Sequence, residues 1–291
     1  MVKIAIVQSG SVIYNTEATL QKLRHFVEKA AAEKAELVLF PEAFVGGYPK
    51  GLDFGVKLGT RSDEGREEFQ RYFKSAITYD GKESTEIASI AAEFKIHIVV
   101  GVVERDGGTL YCSVFFYGPN GDRIGKHRKL MPTAVGKVLG KIGAAICWEN
   151  YMPLLRTHYY EQGIQIYLAP TVDDRDVWLS TMRMIALEGR CFVVSACQYM
   201  TTENYPDGHP ANDKSGKVLI RGGSCVVSPL GKILVEPVFD KEAFHLVDID
   251  LDEIIKGKFD LDSVGPLRSS GCFSVACNST LQITLLAPVY C

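Results

Sequence analysis

Long apolar runs are absent from the sequence. No stretch reaches the about 18 consecutive apolar residues of a membrane-spanning helix, and the apolar segment 281–291 is short and interrupted by Pro288. Residues 1–8 have the pattern of a buried strand and lack the basic flank and cleavage site of a secretory signal. We therefore expect a protein that neither spans a membrane nor enters the secretory route.

A large excess of charge is also missing. The 291 residues include 32 Lys and Arg against 35 Asp and Glu, a formal net charge of −3. This balance provides no strong basic field for nucleic acid or an anionic membrane, so we expect neither partner. With 46% hydrophobic and 23% charged residues, the composition is typical of a folded globular chain.

Cysteines are few for the length of the chain, and no two have the CxxC spacing. The eight cysteines are much sparser than in small disulfide-stabilised scaffolds. We interpret them as reduced thiols and expect a cytoplasmic protein. No Cys/His set has a convincing metal-ligand spacing, so we predict no metal site.

Apolar, β-branched runs alternate with amphipathic helical patterns. Runs at 3–8 and 37–40 enclose a helical pattern at 16–34, whose apolar residues recur every three or four positions. Gly-rich and Pro-rich turns at 107–108 and 119–122 indicate antiparallel hairpins. Since no low-complexity linker or repeat interrupts this alternation, we predict an α/β fold with mixed sheets in a single layered domain.

Three reactive side chains lie at predicted strand ends, where open α/β sheets bind ligands. Glu42 follows the strand 37–40, and Lys129 and Cys147 are the last residues of two later strands. A buried carboxylate is suited to base chemistry, and a thiol becomes a nucleophile when a neighbour lowers its pKa. The alternative interpretations are a solvated loop carboxylate, a charged edge strand and an inert core cysteine.

Side-chain alternation divides the basic strand 123–129 into two faces. His127 and Lys129 share one face, and Lys126 and Arg128 share the other. Only one of these pairs can face the protein interior.

Three motifs in one order resemble the nitrilase branch of the carbon–nitrogen hydrolase superfamily. They are FPEAFVGGYPKG at 40–51, GKHRKLMPTA at 125–134 and GKIGAAICWEN at 140–150. The resemblance continues to about residue 264. It implies an α-β-β-α sandwich and a homo-oligomer.

The resemblance implies a Glu-Lys-Cys triad formed by Glu42, Lys129 and Cys147. In this family the cysteine attacks a nitrile carbon, the glutamate acts as base, and the lysine stabilises developing negative charge. The implied function is hydrolysis of an organic nitrile to a carboxylic acid and ammonia, with no metal or organic cofactor.

The same resemblance assigns substrate-binding roles to Tyr48 and Trp148, with packing aromatics as the alternative. Thr171 is a further pocket candidate, because it follows a predicted strand. Glu149 is expected to orient the nucleophile loop, and His127 is expected to be structural.

Two segments depart from the family pattern. The chain is shortened between 134 and 140, so that no glutamate lies between Lys129 and Cys147, and the family's second active-site glutamate has no counterpart. Beyond 264 the pattern also ends. We therefore predict a hydrolase domain at 1–264 and an atypical tail at 265–291, and we attribute both changes to an alternative transcript or a misread gene model.

These departures keep alternative functions open. One is a catalytically impaired homologue that binds ligands without turnover. Another is an amidase or cyanide hydratase on the same fold.

Overall fold

The computed structural model of the chain describes residues 1–55, 62–129, 141–259, 261, 275–277 and 283–285. Its α-helices are α1 (Thr16–Ala32), α2 (Asp63–Ser75), α3 (Lys82–Phe94), α4 (Pro153–Glu161), α5 (Val177–Gly189) and α6 (Asp252–Gly257). Short 3-10 helices span Cys147–Tyr151 and Thr202–Asn204. None of the helices in these described ranges is both long and apolar enough to cross a membrane.

The strands are β1 (Val2–Gln8), β2 (Leu37–Leu39), β3 (His97–Asp106), β4 (Thr109–Tyr117), β5 (Arg123–Arg128), β6 (Ile142–Ala144), β7 (Ile166–Thr171), β8 (Phe192–Cys197), β9 (Tyr199–Thr201), β10 (Val218–Arg221), β11 (Cys225–Val227), β12 (Ile233–Val235), β13 (Ala243–Ile249), β14 (Val275–Cys277) and β15 (Ile283–Leu285). Most belong to two large mixed sheets, whose parallel and antiparallel pairings confirm the prediction of mixed sheets.

The first sheet has the strand order β13-β1-β2-β3-β4-β5. Its centre, β1 to β3, is parallel, whereas β13, β4 and β5 run antiparallel to their neighbours. The parallel strands require crossovers, which α1 and α3 supply. The segments that follow β2 and β5, which carry Glu42 and Lys129, therefore extend from the same sheet.

The second sheet has the order β12-β11-β8-β7-β6, with β6, β7 and β8 parallel. Helices α4 and α5 connect these parallel strands. Because parallel strands end on the same edge, the residues that follow β6 and β7 lie side by side.

Three apolar layers show how the elements stack. Alternate residues of β1 belong to different apolar clusters. Ile4 and Ile6 pack between the two sheets, whereas Ala5 and Val7 pack beneath α1 and α3. A third apolar cluster lies between the second sheet and helices α4 and α5. The order of layers is thus helix, sheet, sheet, helix, which is the α-β-β-α sandwich.

The structure differs from the sequence-based expectation at several places. Thr171 does not follow a strand, because it is the last residue of β7, and strands β9 and β10 were not predicted. Helix α2 was not predicted, because its sequence is dominated by charged residues and its aromatic residues pack locally on Phe54. The strand predicted to end at Cys147 ends at Ala144, and Cys147 is the first residue of a 3-10 helix.

The predicted division at 264 stays a prediction. The shortened segment between 134 and 140 lies outside the described residues, as does most of the tail. Within the tail the described part is an antiparallel pair, β14 and β15.

Candidate active site

Glu42 lies in the tight turn after β2, and its side chain is 1% exposed. The turn crosses directly over Gly101 of β3. A Cβ at Gly101 would lie 2.2 Å from the carbonyl oxygen of Pro41 and 2.6 Å from the Cα of Glu42, so only glycine permits this approach. The Gln198 amide donates to the main-chain oxygen of Glu42 at 2.7 Å.

Both carboxylate oxygens of Glu42 accept hydrogen bonds. The Lys129 ammonium donates to Oε1 at 2.8 Å, and the Cys112 thiol donates to the same oxygen at 3.4 Å. The main-chain N–H of Val172, which follows β7 of the second sheet, donates to Oε2 at 3.1 Å. The orientation of Glu42 is therefore fixed from both sheets.

Lys129 directly follows β5, and its main-chain N–H donates to the oxygen of Cys112 at 2.8 Å. Burial acts to lower the pKa of the ammonium, but the charge of Glu42 and the hydrogen bond to it outweigh burial and raise that pKa above its ordinary value. Lys129 thus carries a permanent positive charge at neutral pH.

Cys147 lies at the junction of β6 and the 3-10 helix with φ at +52°, a left-handed conformation that non-glycine residues rarely adopt. Asn150 holds this turn, since its amide donates to the main-chain oxygens of Ala145 at 2.9 Å and Cys147 at 2.8 Å. Strain of this kind concentrates at functional sites.

The Cys147 thiol is 5% exposed, and burial together with the charge of Glu42 raises its pKa to about 11. A hydrogen bond from the Thr171 hydroxyl, the charge of Lys129 and the Val172 N–H oppose this rise. The resting thiol is therefore protonated, and a base is needed to activate it.

The inward face of β5 is the one that carries His127. His127 is fully buried and its Nε2 lies 2.9 Å from Oε2 of Glu149. On the other face, Lys126 and Arg128 both bind Glu104, with Arg128 Nε at 2.9 Å from Oε2. Glu149 Oε2 also accepts from the main-chain N–H of Ile146 at 2.6 Å, next to Cys147.

One cavity of about 430 Å³ brings most of the predicted site residues together. Glu42, Tyr48, Lys129, Cys147 and Trp148 all line it. The remaining lining residues are Lys50, Val172, Asp173, Asp174 and Arg175. Thr171 is not among them, because it is fully buried next to the Cys147 thiol.

Trp148 forms part of the cavity mouth and is 59% exposed. Asp173 orients it by accepting from the indole Nε1 at 3.0 Å, and Asp173 is in turn held by Arg175 Nε at 2.8 Å. The carboxylate of Asp173 thus links Trp148 to Arg175, and all three residues line the cavity.

Residues 3–259 match the carbon-nitrogen hydrolase family model, which spans most of the chain. The chain belongs to the carbon-nitrogen hydrolase family. An aliphatic nitrilase of Sinorhizobium fredii is 46% identical over 281 residues, covering 90% of this chain and 91% of the relative. An arylacetonitrilase of Trametes versicolor is 45% identical over 304 residues, covering 94% of this chain and 95% of the relative.

A third relative of this carbon-nitrogen hydrolase is a bifunctional nitrilase/nitrile hydratase of Lupinus angustifolius. It is 45% identical, with 91% of this chain and 82% of the relative covered. These relatives place the chain in the nitrilase branch of the family.

Solved structures of the superfamily have the same fold. Nit3 of Saccharomyces cerevisiae aligns with a TM-score of 0.70 at 20% identity, covering 92% of this chain and 97% of that chain. XC1258 of Xanthomonas campestris, a CN-hydrolase superfamily protein, aligns with a TM-score of 0.71 at 16% identity, covering 90% of this chain and 96% of that chain.

Sequence reasoning missed several residues that shape the site of this carbon-nitrogen hydrolase. Cys112 lies in β4, Gln198 directly follows β8 and Asp173 lies two residues after β7, and no functional role was predicted for them. Their contacts with Glu42 and Trp148 depend on strand pairing and on the packing of the two sheets. Asn150 was visible inside the CWEN string, where an amide two residues after a tryptophan is a candidate turn cap.

Proposed function

We propose that Cys147, Glu42 and Lys129 are the catalytic residues of a nitrilase that converts a small organic nitrile to a carboxylic acid and ammonia. The observation that carries this proposal is their convergence on one cavity, with the Glu42 carboxylate bonded to the Lys129 ammonium at 2.8 Å. Nitrilase relatives of about 45% identity over most of the chain support the reaction.

The first half of the reaction forms a covalent intermediate. Glu42 takes the proton of the Cys147 thiol as the sulfur forms a bond to the nitrile carbon. The same proton then passes from Glu42 to the nitrile nitrogen, which gives a neutral thioimidate and returns Glu42 to its ionised form. Because burial and the charge of Glu42 raise the pKa of Cys147 to about 11, the resting thiol keeps its proton until Glu42 accepts it.

The second half consumes two water molecules. Glu42 removes a proton from the first water as it adds to the thioimidate carbon, and ammonia leaves to give a thioester. A second water breaks the carbon–sulfur bond, which releases the carboxylic acid and returns the proton to Cys147. Lys129 stabilises the negative charge that develops in each tetrahedral species.

Substrate selection is proposed to depend on the cavity walls. Tyr48 and Trp148 contribute aromatic surface, and the volume of about 430 Å³ suits a small molecule. We propose that Thr171 acts on the substrate through Cys147, since its hydroxyl opposes the rise in the pKa of that thiol.

We also propose that the protein is cytoplasmic and a homo-oligomer. Cys112, Cys147, Cys191, Cys197 and Cys225 are free thiols, which suits a reducing compartment. Trp148, Met152, Val177 and Met184 leave apolar surface near α4 and α5 exposed. Light scattering coupled to size-exclusion chromatography tests the assembly, and a monomer at micromolar concentration contradicts it.

The function is tested by ammonia release from aromatic, aliphatic and cyano-amino-acid nitriles, with Cys147→Ala as the blank. We expect Cys147-dependent release, with acid and amide quantified separately because one relative is bifunctional. A folded wild-type sample that releases no ammonia from any nitrile contradicts the proposal and favours an impaired homologue.

A further inference from the structure

The proposed nucleophile and the proposed cation reach the cavity from different sheets. Lys129 follows β5 of the first sheet, and Cys147 follows β6 of the second. Among the described residues no hydrogen bond joins Lys129 to Cys147 directly. Their separation therefore depends on other contacts across the sheet–sheet interface.

One such contact links the two catalytic segments. His127 lies two positions before Lys129 on the same face of β5, and Glu149 lies two positions after Cys147 in the 3-10 helix. Their side chains meet at 2.9 Å and are 0% and 1% exposed. We name this pair the His127–Glu149 bridge.

A single oxygen of Glu149 serves both sides of the bridge. Oε2 accepts from the main-chain N–H of Ile146 at 2.6 Å and lies 2.9 Å from His127 Nε2. Since Ile146 directly precedes Cys147, the carboxylate ties β5 to the backbone of the nucleophile. A shift of either segment breaks one of these short hydrogen bonds.

The contacts of His127 indicate which of its ring nitrogens carries the proton. Its Nδ1 is buried and has no hydrogen-bond partner among the described residues, so a proton there would lack an acceptor. The carboxylate of Glu149 requires a donor, and Nε2–H provides it. The bridge is thus an imidazole Nε2–H that donates to the buried side chain of Glu149.

We propose that the His127–Glu149 bridge is a positioning device that sets the separation between the Cys147 thiol and the Lys129–Glu42 pair. The inference rests on the proposed nitrilase function and adds two positioning residues to it. Chemistry of this kind is sensitive to small displacements, and a shift of about 1 Å costs on the order of 10²-fold in rate.

His127→Leu tests the bridge, because it removes the donor with little change in volume. We expect kcat to fall by about 10- to 100-fold with KM changed by less than about threefold, since binding surfaces are intact and only alignment is lost. His127→Gln, whose amide N–H can replace Nε2–H, is expected to recover most of the lost kcat.

A purely structural role is separated by the double variant His127→Leu/Glu149→Gln. It leaves no unpaired buried carboxylate and keeps an acceptor for the Ile146 N–H, so thermal stability returns toward wild type. Positioning predicts that kcat stays low. Recovery of kcat together with stability overturns the proposal.

Ser84→Ala is the matched control. It removes a buried hydrogen bond of 2.8 Å between Ser84 of α3 and the Tyr117 hydroxyl of β4, and neither residue lines the cavity. We expect its kcat to equal that of wild type even where the thermal midpoint falls.

Alkylation of Cys147 by iodoacetamide gives a readout that needs no nitrile turnover. We expect the curve of alkylation rate against pH to move to lower pH in His127→Leu, because the thiol moves away from the negative charge of Glu42, and to be unchanged in Ser84→Ala. If the wild-type protein releases no ammonia, the nitrilase function is contradicted and the bridge is not. If His127→Leu has the same alkylation rate and the same kcat as wild type, the bridge is contradicted and the nitrilase function is not.

Discussion

The charge of Glu42 has opposite effects on Cys147 before and during reaction. In the resting site, burial and that negative charge raise the pKa of the thiol to about 11, so the thiol is protonated at pH 7. During attack the same carboxylate accepts the proton. Thiol acidity and hydrolytic activity are therefore expected to respond in opposite directions when Glu42 is changed.

Glu42→Gln is predicted to lower the pKa of Cys147 and to abolish most nitrile hydrolysis. Removal of the negative charge favours the thiolate, so the curve of alkylation rate against pH moves to lower pH, while loss of the base costs about 10²–10⁴-fold in kcat. Iodoacetamide labelling between pH 7 and 10 measures the first effect. Glu86→Gln, on the exposed surface of α3, is the control, and an unshifted labelling curve contradicts the prediction.

Cys112 is predicted to change how readily Glu42 accepts a proton, through its hydrogen bond to Oε1 of Glu42. Burial, followed by the charge of Glu42, raises the pKa of this thiol well above its usual value, so it remains a protonated donor to Oε1 of Glu42. Cys112→Ser supplies a stronger donor to the carboxylate and should move the acidic limb of kcat/KM to lower pH. Cys112→Ala removes the donor and should move it to higher pH. Shifts of the same sign in both variants would sink this interpretation.

Residues that lie in motifs were predictable at this scale, and residues that act through packing were not. Glu42, Lys129 and Cys147 were identified from three strings, and all three line one cavity. Cys112 reaches Glu42 because β4 pairs with β3, against which the Glu42 turn lies, and Gln198 reaches it because the two sheets face each other. Neither relation is local in sequence.

At the scale of elements, the turn that carries Glu42 is supported by β3. Gly101 is the point of contact, and its missing side chain lets the turn lie against the strand. The geometry of the base is thus determined by a residue far from it in sequence.

Gly101→Ala is predicted to displace the Glu42 turn. The new Cβ would clash with backbone atoms, which cannot rotate away as a flexible side chain can. We expect kcat/KM to fall by about 10²-fold or more, with loss of thermal stability. Gly108→Ala in the β3–β4 hairpin, where nothing lies within 4 Å, should leave both unchanged. Equal activity in the two variants would contradict the supporting role of β3.

The spacing of apolar residues predicted regular elements such as α1 and β2. It did not predict the end of β6, where side-chain contacts determine the backbone. The helical pattern at 16–34 corresponds to α1, and the apolar run beginning at residue 37 corresponds to β2. The end of β6 was wrong, since Ala145 and Ile146 continue the apolar run after strand pairing has stopped. Asn150 and Glu149 bind that backbone, and such contacts leave no periodic signal.

At the scale of the whole molecule, an ionic cluster on the first sheet is predicted to make stability depend on pH. Burial acts to raise the pKa of Glu104, but hydrogen bonds from Arg128, Lys126 and Ser113 outweigh it and lower that pKa below its ordinary value. A carboxylate of this kind stabilises the fold above the pKa of the unfolded chain. The contribution is lost as pH falls through the lower pKa of the folded state.

Glu104→Gln is therefore predicted to destabilise the protein at pH 7 by about 1–3 kcal/mol, and by less at pH 3.5. Urea unfolding at pH 7, 5 and 3.5 measures the difference in unfolding free energy between variant and wild type. A difference that grows as the solution is acidified would contradict the lowered pKa of Glu104.

The layer order was predictable through the family resemblance, and the strand order was not. Alternating strands and helices indicated an α/β domain, but nothing in the pattern of 243–249 distinguishes an edge strand of the first sheet from one of the second. Tertiary packing decides that β13 pairs with β1.

This pairing has a consequence for synthesis on the ribosome. Val2 lies opposite Ile249, so β1 cannot pair with β13 until the ribosome has synthesised both catalytic segments and the residues of β13. A nascent chain that already contains Cys147 still has an open edge at β1, available for pairing with other chains. Activity is thus expected to arise only when β13 emerges.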